Sequence, residues 1–184
     1  MYIFFFIYLF IIKKIIQLLD GKYVNSLSSY TLLLNLFSPC DNYLDFLFLF
    51  LAFVSSIHHS IRHKEDTKLN SMIHALDSGL IVSILSYIFF HNFNFFPISL
   101  SLILSFIVIY TEFKYKYRTL KKVITCATCI MCIYESTITI IPILFALYFF
   151  SKSKLWSNNN FLRFGWHSAA TFSILSYLIN HFDQ

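Results

Sequence analysis

Two stretches, Val54-Ser-Ser-Ile-His-His59 and Ile73-His-Ala-Leu-Asp-Ser-Gly79, decide how the chain is read. Each closes or opens an apolar run, and between them lies a short hydrated break, Ser60 to Asn70, carrying Arg62, His63, Lys64, Glu65, Asp66 and Lys68. Ser55 and His59 are four residues apart and His74 and Asp77 three apart, so on helices each pair shares one face. A break this short returns the chain to the side it left. Both polar pairs are thus expected near one face of a membrane.

The composition supports a membrane setting. Hydrophobic residues make up 58% of the 184 and charged residues 12%, with a mean hydropathy of +0.68, more apolar than one covered core needs. The formal net charge is +5, but the basic residues gather in breaks between apolar runs, where orientation across a membrane explains them and a nucleic-acid partner is not indicated. The apolar N-terminus has neither a basic leader nor a small-residue cleavage site, and is read as a retained span.

A membrane helix needs about 20 apolar residues. The expected fold is all-α: one polytopic domain over residues 1–184, an integral membrane bundle of about seven helices. The spans are placed at 2–19, 43–59, 71–90, 97–110, 120–134, 136–150 and 161–179. The first contains Lys13 and Lys14, which must snorkel or face the bundle. Gly21 to Asn42 reads as a connection in which Leu32 to Phe37 dips into the interface, and Glu112 to Lys122 reads as a basic loop. Val123 to Phe150 is long for one span and short for two. Two helices turning near Glu135 put the breaks 60–70, 112–122 and 151–160 on one side, with nearly all Lys and Arg, which makes that side and the N-terminus cytosolic. On this topology His167, early in the last span, reaches the depth of Ser55, His59 and Asp77. Ionisable groups inside a membrane usually face a partner or cavity, although anchoring at helix ends accounts for the same residue types.

At these positions the chain resembles the CREST superfamily of seven-helix membrane hydrolases, which includes the alkaline ceramidases, the progestin and adipoQ receptors and the haemolysin III proteins. The residues carrying the resemblance are Ser55-x-x-x-His59, Asp77 and His167, with Ser-Ser-Ile-His-His and Leu-Asp-Ser-Gly-Leu most similar to the receptor and haemolysin III branch. It covers Tyr43 to the end. The resemblance implies a Zn²⁺ ion on histidines, His59 and His167 among them, Asp77 orienting the metal's water, and Ser55 beside them. Zinc brings the pKa of bound water to about 7, making a nucleophile for an amide. The implied activity is a zinc-dependent hydrolase of a lipid amide such as a ceramide, with membrane lipids as partners.

The family's last helix usually carries His-x-x-x-His. Here Arg163 and Thr171 stand one turn either side of His167, so one ligand is missing in either register. His74, one turn before Asp77, is the better substitute; His58 projects about 100° from His59. A non-catalytic seven-helix receptor or scaffold with a degenerate metal site, or a membrane protein of unrelated fold, are the alternatives. Cys126, Cys129 and Cys132 form a Cys-x-x-Cys-x-x-Cys run, read as buried reduced thiols because a cluster needs a fourth ligand and a loop. Cys40 stands alone. Glu135 suits a turn, His91 and His181 span ends, and Tyr115 an interfacial belt.

Overall fold

The computed structural model describes residues 30–37, 41–61, 67–93, 96–116, 119–135, 139–155 and 160–181. Among them the chain is all-helical. A 3-10 helix, Tyr30–Phe37, precedes six α-helices: α1 Asn42–Ile61, α2 Lys68–Asn92, α3 Pro97–Tyr115, α4 Thr119–Glu135, α5 Ile140–Leu155 and α6 Asn160–His181. The span expected at 2–19 lies outside the described residues. Three helices are long and apolar enough to cross a membrane, over Asn42–Ser60, Lys68–His91 and Pro97–Tyr115; α5 holds a shorter apolar run, Ile140–Phe149.

Local chemistry sets the helix ends. At the start of α1 the Asp41 carboxylate accepts from the Leu44 backbone N–H at 2.9 Å, and at the start of α2 the Thr67 hydroxyl accepts from that of Asn70 at 3.2 Å, each satisfying an amide that lacks an intrahelical partner. Pro97 opens α3, where its missing N–H costs nothing. Lys116 closes α3 in the left-handed region with its N–H on the Glu112 carbonyl at 3.0 Å. The helix therefore runs through Tyr115, and Glu112, expected in a loop, sits in its last turn. Val123 to Phe150 divides between α4, which ends at Glu135, and α5.

Side-chain bonds show which helix ends meet. Tyr43, early in α1, shares its hydroxyl with Ser83 in the second half of α2 at 3.3 Å and Ser101 in the first turns of α3 at 3.0 Å. The Tyr87 hydroxyl donates to Asp41. At the other end, Lys121 near the start of α4 donates to Ser78 of α2 at 2.9 Å. Helices α1, α2 and α3 thus alternate in direction, and α4 begins where α3 ends.

The pairing of α2 with α3 rests on small residues. Gly79 is so close to α3 that an added Cβ would lie 2.4 Å from Ile109 Cγ1, and Ser105 donates to the Gly79 carbonyl at 2.9 Å. Backbone contact through Gly and Ser is how apolar helices associate where lipid removes a hydrophobic drive. The main core joins Leu44, Phe48 and Leu51 of α1 to Ile84 and Ile88 of α2 and Tyr177 and Leu178 of α6. A second cluster, Ala146 and Phe149 with Ala169 and Phe172, seats α5 on α6. Large apolar side chains also face outward, among them Phe46 and Phe53 on α1 and Ile103 and Phe106 on α3. The 3-10 helix packs into the bundle: Asn35 is fully buried, Leu33 and Leu36 rest on the main core, and Thr31 Oγ1 meets Thr171 Oγ1 at 3.2 Å. It is a partly buried element packed on α1 and α6, at the stretch where the sequence suggested an interfacial dip.

Candidate functional site: a histidine and carboxylate cluster

The last turn of α1 brings His58 and His59 to the first turns of α2, where His74, Asp77 and Ser78 lie on the inner side. His58 Nδ1 is 3.3 Å from Asp77 Oδ2, both side chains about nine-tenths buried. The His58 ring centre is 4.8 Å from that of His74, edge to face, and 5.1 Å from that of His59, stacked. His59 meets His167 of α6 edge to face at 4.9 Å. Four imidazoles from three helices therefore run ring to ring as His167, His59, His58 and His74. A fourth helix closes the run: Glu112 of α3, its side chain 3% exposed, lies with Oε2 3.4 Å from His74 Nδ1.

The expected site residues are distributed unevenly in this arrangement. His59, His74, Asp77 and His167 all belong to the run. Asp77 faces His58, the histidine that helix geometry had set aside. The 100° between His58 and His59 does not exclude either, because the α1 end has α2 on one flank and α6 on the other. Ser55 is buried one turn before His59, but among the described residues it forms no hydrogen bond to the cluster. Thr171 is fully buried against the 3-10 helix, with its hydroxyl on the His167 carbonyl at 2.9 Å, so the position one turn after His167 faces Thr31. The Arg163 side chain lies outside the described residues.

Glu112 is the residue that sequence reasoning missed. Ser101, Ser105, Val108 and Glu112 are the buried positions of α3, at i, i+4, i+7 and i+11, a helical stripe legible in the sequence once the helix is carried past Tyr110. A carboxylate ending such a stripe is an inward group, since burying a charge is costly without a partner.

In donor chemistry the cluster suits zinc, being rich in imidazole and carboxylate. In arrangement only the ring spacing suits it: two imidazoles on a zinc at about 2.0–2.1 Å bring their ring centres to about 5 Å, a spacing that His59 and His167 at 4.9 Å share with the other neighbours along the run, at 5.1 and 4.8 Å. A third donor is not gathered with them. Among the described residues no three His, Cys, Asp or Glu side chains are placed to hold one ion. What the cluster can do is hold protons: each carboxylate faces the Nδ1 of a different imidazole, which ties the helix ends and biases where those rings carry hydrogen.

The other candidates lie apart. Cys126, Cys129 and Cys132 are free thiols along α4, with Cys126 exposed and the other two half-buried; the expectation of three buried thiols fails at Cys126, which is on the outer side of the helix. His91 packs on Tyr87 with ring centres 5.7 Å apart. Lys114 lies 5.3 Å from the ring centres of both Tyr110 and Tyr115, the contact of an amphipathic belt.

The fold and cluster define the class: an all-helical protein with three helices able to cross a membrane and a buried histidine–carboxylate cluster at one end of them. Compared with known proteins, the chain matches no family model, no curated protein and no solved structure.

Proposed function

We propose that the chain is a multi-pass membrane protein of CREST-like architecture that works as a receptor or scaffold, its metal site having become a histidine–carboxylate network. One observation carries this reading: the Nδ1 atoms of His58 and His74 face Asp77 and Glu112, while among the described residues no three donors converge on a point. A network of this kind stabilises one register of four helix ends, because polar groups in lipid cost several kcal/mol, by order of magnitude, when left unpaired. Receptors and scaffolds need that fixed register; a hydrolase also needs an open, activated position. The bundle has seven spans in this reading, the described helices plus 2–19, with the cluster end and its basic segments cytosolic. A glycosylation acceptor appended after Gln184 is expected to be modified, and one before Met1 to stay bare. The opposite pattern reverses the orientation.

A second reading has its own support in the His59–His167 spacing: a zinc-dependent hydrolase of a lipid amide, with His59, His167 and His74 as donors and ceramide-like lipids as substrate. Bound zinc would supply a hydroxide near neutral pH. Metal content separates the two. Protein purified without chelator, after incubation with Zn²⁺ and removal of the excess, is expected to hold well under one zinc per chain and to release no fatty acid from ceramide in micelles. Near-stoichiometric zinc lost in His59→Ala, together with amide hydrolysis, would replace the first reading with the second.

A further inference from the structure

The two histidine–carboxylate pairs differ in access. His58 and Asp77 are each about nine-tenths buried, whereas the His74 side chain is 29% exposed although its partner Glu112 is 3% exposed. A buried carboxylate against one nitrogen of a partly open imidazole fixes more than the ring's angle. It favours the proton on the facing nitrogen and leaves the lone pair on the other. The place of Glu112 is fixed by the fold: it is in the last turn of α3, whose distance from α2 is set by the Gly79 contact and the Ser105 bond, and Ser78 and Lys121 act on its carboxylate beside His74.

We propose that Glu112 is a positioning residue: it holds His74 in the tautomer protonated on Nδ1, so that Nε2 of His74 is the accessible acceptor through which the cluster binds a ligand that offers a hydrogen-bond donor or a soft divalent cation. This rests on the cluster being one site, as above, and adds which atom of it meets a ligand. It also gives the α2–α3 contact a functional meaning, since that contact sets where Glu112 stands.

The test is the two-bond ¹⁵N–¹H spectrum of histidine-labelled, chelator-treated full-length protein in micelles at pH 8.5, with His74→Asn identifying the His74 signals. The wild type is expected to show His74 in the Nδ1–H form alone, and Glu112→Leu to return it to the mixture of an unrestrained imidazole. Glu112→Gln, which keeps the volume and an acceptor, is expected to lie between them. A wild-type ring in the Nε2–H form, a doubly protonated ring, or an Nδ1–H form that persists in a folded Glu112→Leu protein overturns the proposal; should neither variant fold, the wild-type spectrum still decides it. Adding Zn²⁺ supplies the ligand arm: broadening of the His74 Nε2 signal ahead of the other histidines is expected, and its absence removes the assignment of Nε2 as the binding atom. Stoichiometric zinc uptake by the wild type would remove the receptor or scaffold reading and leave the tautomer result standing.

Discussion

His58→Leu is expected to destabilise the protein by about 3–5 kcal/mol, the range for removing one partner of a buried ionic pair. The size follows from what stays behind. Asp77 is 7% exposed, and its Oδ1 has no hydrogen-bond partner among the described residues even with His58 present. Without His58, the carboxylate must either remain charged and buried without its closest partner or take up a proton, and both cost free energy. Asp77→Leu is expected to cost less, about 1–3 kcal/mol, because what it leaves without a partner is an imidazole and not a carboxylate. Replacing both with leucine should recover most of the loss. Denaturant unfolding in micelles, run as a double-mutant cycle, measures this; additive single and double variants would show that the pair is not coupled.

The second large effect is expected at Gly79. A leucine there puts its Cβ 2.4 Å from Ile109 Cγ1, well inside van der Waals contact, and α3 cannot yield freely because Ser105 is bonded to the Gly79 carbonyl. Overpacking of this kind costs about 1–3 kcal/mol where the neighbours give way. The larger consequence is geometric, since α3 displaced from α2 carries Glu112 away from His74. Gly79→Leu should therefore lower the unfolding midpoint and also return the His74 ¹⁵N signals to a mixture, although position 79 touches neither residue. A loss of stability with the His74 spectrum unchanged would show that the helix contact and the pair are independent. Gly79→Ala adds the same Cβ but nothing beyond it, and is expected to be milder in both measurements.

These two sites also show what could be read without coordinates. The histidine and aspartate positions were legible because they interrupt apolar runs at helical spacing, and such residues rarely face lipid. That His58 meets the aspartate was not: the resemblance made His59 a metal ligand with Asp77 orienting the metal's water, and His58 was set aside for its direction, whereas the bundle supplies neighbours on both flanks and gives Asp77 to His58. Glu112 was lost for a different reason, since its basic followers, Lys114 and Lys116, suggested a loop. A charged stretch can still be the last turn of a helix when its capping amide finds a carbonyl, as that of Lys116 does. The 3-10 helix escaped because Tyr30–Phe37 is too short and too mixed to show a period, and only its packing on α1 and α6 gives it a place.

The small-residue seam between α2 and α3 has a consequence for biogenesis. Its two helices are consecutive and only four residues, 93–96, separate them, so the hairpin can assemble as soon as Tyr115 has left the ribosome, before α6 is synthesised. Local contacts close at little entropic cost, whereas the meeting of His59 with His167 must wait for a residue that lies 52 positions beyond Tyr115. The network is thus expected to be built from its Glu112 end towards its His167 end. A lesion in the seam would be met early, by the machinery that inserts nascent helices, and a lesion at His167 late, by the quality control that inspects finished membrane proteins.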